Sequence, residues 1–371
     1  MAVYLMGGRH AFSALLYRVE VPRRPYLVFT YPPFAAILFA PLADVVSRTT
    51  AQVLWAIVNI AALFGLIHLS LRLARPHLDR LERRRWSMVL LLPTLLLNPV
   101  LLTVGLGQVD LVLCLAVLFD LCSPRQIGRV TVPLGLIIGV AASIKLTPLL
   151  FIPYLLMTGR RRGALTAGVS FILCTTIAFV LTPRASWIYW RFDVRVAKRA
   201  GALFDVSDQN LRSLLSRFLH EPVPGNILWP LVLVIAVGGL LLAARAHRSY
   251  SPLFGVIVCA NTELLVSPIT WTHHLVWIVP ALLWLGLSAD APRHGALIAL
   301  ALALVFWSAP IWRVPTSYIP RADPIELHEH GWQLIAGNAF ALILVLTLVA
   351  TAILLGRRAS RLSRRSIAPS R

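Results

Sequence analysis

Long apolar stretches separated by short, arginine-rich loops dominate this sequence. A helix of about 20 mostly apolar residues is long enough to cross the roughly 30 Å hydrocarbon core of a bilayer. The chain is 58% hydrophobic and 13% charged, against about 45–50% and 25% in soluble domains, so a single soluble core is excluded. Eleven stretches are predicted as membrane spans: residues 51–74, 87–104, 108–122, 130–144, 146–158, 163–182, 226–244, 250–266, 272–288, 295–311 and 335–356. The fold is therefore predicted as all-α, with about 11 membrane segments in one integral membrane domain over residues 1–356.

The distribution of charge predicts the orientation of these spans. If the chain starts outside, the loops on the inner face and the tail at residues 357–371 hold 20 of the 35 Lys and Arg residues but only four of the 15 Asp and Glu residues. Short cytoplasmic loops carry such an excess of basic residues, so we predict a plasma-membrane protein with a cytoplasmic C-terminal tail. The net charge of +20 would also suit nucleic acid. Because the basic residues are divided among loops between apolar spans, we expect the lipid bilayer, and no nucleic acid, as a partner.

Two regions are predicted to differ from simple spans. Residues 1–50 are expected to form an extracytoplasmic segment, with a short helix at 33–46 that lies in the outer leaflet. The stretches 130–144 and 146–158 are each too short for a perpendicular span, and they meet at Lys145, close to Pro148. Since proline interrupts helices, we interpret them as a broken pair whose junction lies near the outer surface.

Polar residues that are unusual in a membrane protein collect on the predicted outer face. They are Tyr31 in the FTYPP motif, Gln108 and Asp110 in GLGQVD, Lys145, the polar residues of a predicted extracytoplasmic loop at 183–225, and His273 and His274 in SPITWTHH. A polar ligand is therefore expected at this face of the membrane.

Lys145 lies within an apolar run, where a lysine is costly unless it meets a partner or water. It either reaches the interface as a long side chain or supplies a positive charge to a phosphate or to a nearby carboxylate such as Asp110. Asp110 itself either caps the start of the third span or belongs to the site together with Gln108. Gly105 and Gly107 precede these two residues and allow the backbone to approach a ligand closely.

His273 and His274 begin a predicted span on the outer side. Adjacent side chains point about 100° apart on an α-helix, so both histidines are not expected to face one metal ion. We predict no metal site. Either one imidazole hydrogen-bonds to a phosphate while the other packs, or both are interfacial residues.

The predicted loop at 183–225 is rich in aromatic and polar residues. It contains Trp187, Tyr189, Trp190, Asp193, Arg195, Asp208, Gln209 and Asn210. Such a mixture suits stacking on sugar rings and hydrogen bonding to hydroxyls. An interfacial aromatic belt with arginine anchors is an equally good interpretation.

Motifs for soluble nucleotide chemistry are absent from the sequence. There is no Asp-x-Asp pair, Walker A loop or Rossmann fingerprint, and the four cysteines show no spacing typical of a metal site or a disulfide framework. We therefore expect no cofactor and a donor other than a soluble nucleotide sugar. A lipid monophosphate requires cationic or hydrogen-bonding groups at the membrane surface, which Lys145, His273 and His274 provide.

An ordered set of motifs resembles glycosyltransferase family 87, the polyprenol-phosphate-mannose-dependent α-(1→2)-mannosyltransferases with the C-type membrane fold. The motifs are VYLMGG (residues 3–8), FTYPPFAAILFAPLA (29–43), GQVD (107–110), SIKLTP (143–148), DQNLRSLLSR (208–217) and SPITWTHHLVW (267–277). The resemblance implies transfer of mannose, with inversion, from polyprenyl-phosphate mannose to a glycolipid or lipoglycan acceptor at the extracytoplasmic face. It also implies that His273, His274, Lys145, Gln108 and Asp110 bind donor phosphate and substrate, and that Tyr31 shapes the pocket.

The catalytic base is not found at its expected position. The resemblance implies an aspartate in an Asp-x-x-Val-Tyr motif, and here Val3 and Tyr4 would place it immediately before Met1. Our interpretation is a start codon assigned too late; the alternative is a shortened, inactive protein. Asp110, Asp205, Asp208 and Glu263 are the other acids that can approach the site, but none matches the position of the base.

Other functions also fit the architecture. A polyprenyl-phosphate-arabinose-dependent arabinofuranosyltransferase differs only in the sugar, which the sequence does not specify. A lipid or solute transporter is also polytopic and basic inside, but transporters have repeated halves and polar residues near the midplane. Here the polar residues collect at one face, which favours the transferase.

Overall fold

Apolar helices make up most of the structure, a computed structural model that describes residues 29–123, 126–127, 130–192, 204–316 and 324–367. The α-helices in chain order are α1 (Pro33–Val45), α2 (Arg48–Ala74), α3 (Arg80–Leu95), α4 (Asn98–Gly105), α5 (Asp110–Cys122), α6 (Leu136–Ile144), α7 (Phe151–Met157), α8 (Arg161–Leu181), α9 (Pro183–Arg191), α10 (Leu211–Leu219), α11 (Gly225–Ser249), α12 (Pro252–Val266), α13 (Ile278–Leu287), α14 (Gly295–Ser308), α15 (Trp332–Gly337) and α16 (Ala339–Ile367). Short 3₁₀ helices cover Thr147–Leu150, Thr272–Trp277, Pro310–Arg313 and Ile325–His328. The described residues also form one short antiparallel β-pair, between β1 (Gln126–Ile127) and β2 (Val130–Thr131).

Five of the described helices are long and apolar enough to cross a membrane. They are α2, α8, α11, α14 with the 3₁₀ turn that follows it, and Ala339–Ser360 of α16. A sixth span results if α3 and α4 are counted together, and Thr147–Met157, Pro252–Val266 and Thr272–Leu287 are shorter apolar helices. The protein is thus an all-α, multi-pass membrane protein, and the count of about eleven segments stays a prediction.

The predicted span at residues 87–104 consists of two helices. α3 and α4 are bent by 82° relative to each other. Pro93 lies inside α3, and Pro99 lies in the first turn of α4, where its missing N–H costs no helical hydrogen bond. Hydropathy alone does not show such a bend, because the apolar stretch is continuous through it.

The predicted helix break at Lys145 is confirmed. α6 ends at Ile144, Lys145 is extended at φ −148° and ψ 129°, and Pro148 lies in the 3₁₀ turn that precedes α7. At the other end of α6, the carboxylate of Asp120 accepts hydrogen bonds of 3.0 Å from the amides of Gly135 and Ile138. A carboxylate at a helix N-terminus accepts hydrogen bonds from the free N–H groups and interacts favourably with the positive end of the helix dipole.

The segment at residues 183–225, predicted as a loop, contains two helices. α9 is amphipathic: the indole of Trp187 is 62% exposed, whereas Tyr189 is buried. α10 begins at the N-cap Asn210, whose side chain accepts a hydrogen bond of 2.8 Å from the Ser213 amide. These two helices flank residues 193–203, which lie outside the described residues.

Candidate functional site

Residues from four separate parts of the chain meet at one site. Tyr31 precedes α1, Gln108 and Asp110 lie at the start of α5, Lys145 lies in the break after α6, and the two histidines lie in the 3₁₀ turn before α13. The sequence predicted binding roles for all six residues, and the structure brings all six together. The VYLMGG motif and the expected position of the base fall outside the described residues.

An ion pair between Lys145 and Asp110 is at the centre of the site. The Lys145 Nζ atom lies 2.5 Å from Asp110 Oδ1, and the two side chains are 11% and 8% exposed. Asp110 does not cap α5, because the N-cap position belongs to Val109 and no side-chain cap bond is formed. Of the alternatives predicted for these residues, the buried ion pair is the one that the structure shows.

Tyr31 and Gln108 extend the site on one side of this ion pair. The Tyr31 hydroxyl donates a hydrogen bond to Gln108 Oε1, and Lys145 Nζ lies 5.7 Å from the centroid of the Tyr31 ring, within the range of a cation–π interaction. The Gln108 carbonyl accepts hydrogen bonds from the Trp55 indole at 3.0 Å and the Asn59 amide at 3.2 Å. The polar turn before α5 is therefore anchored to α2.

The two histidines point towards Asp110, contrary to the expectation that adjacent histidines diverge. Their ring centroids lie 4.6 Å apart with perpendicular planes, and one ring nitrogen from each lies within 4.8 Å of the other and of an Asp110 oxygen. The two residues lie at the start of the 3₁₀ helix Thr272–Trp277, which is interrupted at Leu275. Their rings approach each other although adjacent side chains on a 3₁₀ helix point about 120° apart. The His273 carbonyl accepts a bond of 3.0 Å from Thr103 Oγ1, which ties this turn to α4.

This convergence removes the geometric argument against a metal site, but the charges do not favour one. Among the described residues, Asp110, His273 and His274 are the group whose ligand atoms lie close enough to hold an ion. The Lys145 ammonium already pairs with Asp110, and it would repel a second cation at that short range. The ammonium and the imidazoles suit an anionic or polar ligand better.

The polar residues that were expected to face a sugar before α10 are buried. Asp208, Gln209 and Asn210 are each 0% exposed. The Gln209 amide donates to the Thr270 carbonyl at 2.7 Å, and Asn210 Nδ2 donates to the Pro268 carbonyl at 2.8 Å. These residues therefore hold the segment that leads into the histidine turn. Of the two interpretations of this segment, contact with sugar does not apply to these three residues. Asp193 and Arg195 lie outside the described residues.

Arg217 holds the segment before α10 in place through buried hydrogen bonds, a role that was not predicted from the sequence. Its fully buried guanidinium donates to the carbonyls of Asp205 at 2.9 Å and Asp208 at 3.0 Å, and to Asn338 Oδ1 at 2.9 Å. Burial raises the pKa of the Asp208 carboxyl to about 6, opposed by the hydrogen bond from the Thr270 amide and by the charge of Arg217. A charged residue on the buried side of the amphipathic helix α10 is the one sequence signal for this role.

The chain also matches known proteins over most of its length. The model of glycosyltransferase family 87 matches residues 29–268. A "polyprenol-phosphate-mannose-dependent alpha-(1-2)-phosphatidylinositol mannoside mannosyltransferase" of Mycobacterium tuberculosis is 34% identical over 88% of this chain and 78% of that protein. A Mycolicibacterium smegmatis protein of the same name is 29% identical, over 94% and 83% respectively.

A third relative from Mycobacterium tuberculosis has a name that specifies a different acceptor, phosphatidylinositol pentamannoside. It is 32% identical over 76% of this chain and 64% of that protein. No solved structure gives a significant match. The match to the family model covers more than half of the chain, and it includes four of the six residues that meet at the site. This chain therefore belongs to glycosyltransferase family 87.

Proposed function

We propose that this protein transfers mannose from polyprenyl-phosphate mannose to a phosphatidylinositol mannoside or related glycolipid, forming an α-(1→2) linkage. The observation that carries the proposal is the 34% identity, over 88% of this chain, to a relative named for that reaction. The buried Lys145–Asp110 pair beside two histidines gives this proposal a site of suitable chemistry.

The site offers hydrogen-bond donors where a phosphate leaving group would need them. When the bond between the sugar and the phosphate oxygen breaks, negative charge develops on the phosphate, and positioned donors stabilise that charge. The Lys145 ammonium has three N–H groups, and its bond to Asp110 uses one of them. The remaining N–H groups and an imidazole N–H of His273 or His274 supply donors for a monophosphate.

The reaction also requires a group that accepts the proton of the attacking hydroxyl. The position that the family resemblance implies for this role falls outside the described residues. Asp110 is paired with Lys145, and Asp208 is held by Thr270 and Ser213. We therefore assign the role of base to neither of these two carboxylates.

The basic loops support an extracytoplasmic site and a cytoplasmic C-terminus. Cysteine labelling of intact cells tests this orientation in a variant without the four native cysteines. A cysteine at exposed Arg161 should be protected from an impermeant reagent, and one at exposed Glu221 should react. Labelling of the Arg161 position from outside would contradict the proposed orientation.

A transfer assay with defined donors tests the reaction. Membranes from cells that express the gene with its native upstream region are supplied with acceptor glycolipid and one labelled donor. Polyprenyl-phosphate mannose should label the acceptor, whereas GDP-mannose should not when donor synthesis is blocked, and EDTA should have little effect. Labelling from polyprenyl-phosphate arabinose alone would favour the arabinofuranosyltransferase instead. Strict dependence on a divalent cation would contradict the proposed chemistry.

A further inference from the structure

A small cavity lies beside the Lys145–Asp110 pair. Its volume is about 20 Å³, which is room for a single water molecule. Asp110 of α5, Glu263 of α12 and His274 of the 3₁₀ turn contribute polar atoms to a lining that is otherwise mostly apolar. Glu263 is 6% exposed, and the site described above gives it no role.

Three polar atoms of this lining have no hydrogen-bond partner among the described residues. They are Asp110 Oδ2, Glu263 Oε1 and His274 Nδ1, and all three are shielded from solvent. A buried polar atom without a partner is costly, and three such atoms around one cavity point to a ligand with matching hydrogen bonds. The cavity is too small for a sugar, and two carboxyl groups in its lining disfavour a phosphate.

We propose that this cavity binds one water molecule that joins Glu263 to Asp110 and His274. The water donates its two protons to Asp110 Oδ2 and Glu263 Oε1, and it accepts a hydrogen bond from His274 Nδ1–H. Buried waters make about three such bonds. Glu263 is thereby a positioning residue that acts on His274 through the water.

The consequence for the site concerns the orientation of the imidazole. The tautomer and orientation of a histidine are set by the hydrogen bond at its other ring nitrogen, as for the outer partners of metal-bound histidines. A water held by two carboxyl groups keeps the proton on His274 Nδ1 and leaves Nε2 as an acceptor for a hydroxyl of the sugar donor. The imidazole N–H available to the phosphate is then that of His273. The effect on donor binding rests on the proposed function, whereas the effect on the imidazole does not.

Substitutions at residue 263 test this proposal. Glu263→Gln keeps a side chain that can bond to the water, whereas Glu263→Leu and Glu263→Met remove the polar atom at similar size. Leu265→Met is the matched control, because Leu265 is buried on the same helix but does not line the cavity. Thermal unfolding in detergent shows whether each variant is folded. Two apolar variants are used so that the test still works if one of them does not fold.

Two readouts are measured: the donor KM and kcat of transfer, and the rate at which diethylpyrocarbonate modifies His274, followed by peptide mass spectrometry. In the apolar variants we expect the donor KM to rise about tenfold, with a smaller change in kcat, as is usual when a supporting partner of a functional histidine is lost. The modification rate of His274 should change about threefold or more, since the imidazole loses its fixed tautomer. The Gln variant and the control should stay within about twofold of wild type.

A purely structural role predicts the opposite pattern. Replacing a buried acid by an apolar residue of similar size would then leave or improve stability and change neither the donor KM nor the modification of His274. That result in a folded apolar variant would overturn the proposal. If the wild-type protein transfers no mannose, the proposed function fails, but the reactivity of His274 still decides whether Glu263 acts on it.

Discussion

The carboxylate of Asp208 accepts a hydrogen bond of 2.8 Å from the backbone amide of Thr270. This bond joins the segment before α10 to the residues that lead into the histidine turn, although the two lie 62 positions apart in the chain. Thr272 Oγ1 adds a further link by donating to the Ser207 carbonyl at 3.2 Å. The positions of His273 and His274 thus depend on residues that do not themselves line the site.

Removing the Asp208 carboxylate should therefore weaken both the fold and the site. In Asp208→Ala the buried Thr270 amide loses its partner, which should lower the free energy of unfolding by about 1–3 kcal/mol. Transfer activity should fall with a raised donor KM, because the histidine turn loses its support. Thermal unfolding and transfer kinetics measure the two effects. Asp290→Ala, at an exposed aspartate, is the control, and equal behaviour of the two variants would contradict this role.

Stability should decrease as the pH rises, because of a buried carboxyl near Arg217. Burial raises the pKa of Glu329 from 4.5 to about 7, while the nearby charge of Arg217 lowers it and that of Glu326 raises it. The folded state therefore binds the proton more tightly, so this stabilisation is present below about pH 4.5 and is lost as the pH rises through about 7. The unfolding temperature should fall between about pH 5 and pH 8.

Glu329→Gln should reduce this pH dependence, because its side chain does not ionise. Some slope should remain, since the pKa of Asp208 is also raised, to about 6. Glu221→Gln changes an exposed glutamate and should leave the slope as in wild type. Unfolding temperatures measured across the pH range in one detergent test the prediction, which fails if the Glu329 and Glu221 variants have the same slope.

The Lys145–Asp110 pair should show strong coupling in a double-mutant cycle. Lys145→Met leaves a buried carboxylate unpaired, and Asp110→Asn leaves a buried ammonium unpaired, so each should cost about 3–5 kcal/mol of stability. The double variant removes both charges and should cost at least about 1 kcal/mol less than the sum of the two single changes. Resistance to unfolding by dodecyl sulfate measures these differences. Additive losses would show that the pair is not a coupled unit.

The sequence predicted the parts of this structure that depend on local chemistry. The break at Lys145 was predicted from two short apolar stretches and a nearby proline, and the ion pair with Asp110 was among the predicted alternatives. The six residues of the site were predicted because polar groups are costly in apolar segments and therefore stand out. Each of these signals can be recognised within a short stretch of the chain, without knowledge of the tertiary structure.

The features that were missed depend on tertiary contacts. Asp208 contacts Thr270 across 62 positions, and its position in a mixed polar and aromatic segment gave no sign of complete burial. The rings of His273 and His274 lie 4.6 Å apart, whereas the prediction considered only the angle between adjacent side chains on a helix. The bend between α3 and α4 was missed because hydropathy reports the polarity of a segment and not its direction.

Close packing of α6 on α8 should make Gly139 intolerant of any side chain. A Cβ atom at Gly139 would lie 1.9 Å from Ser170 Oγ and 2.3 Å from the Ala167 carbonyl oxygen. The hydroxyl can rotate away, but the carbonyl belongs to the backbone of α8, so the two helices would have to separate. Such overpacking costs about 1–3 kcal/mol, and we expect that loss of stability in Gly139→Ala.

Gly168→Ala is the matched control for this prediction. Gly168 lies in α8, and a Cβ atom there would meet nothing within 4 Å. Since alanine is favoured over glycine in a helix by about 0.8–1.0 kcal/mol, this variant should be as stable as wild type or more so. Because α6 ends directly before Lys145, displacement of α6 in Gly139→Ala should also disturb the ion pair and lower transfer activity. If both alanine variants unfold at the same temperature, α6 and α8 are not packed as closely as described.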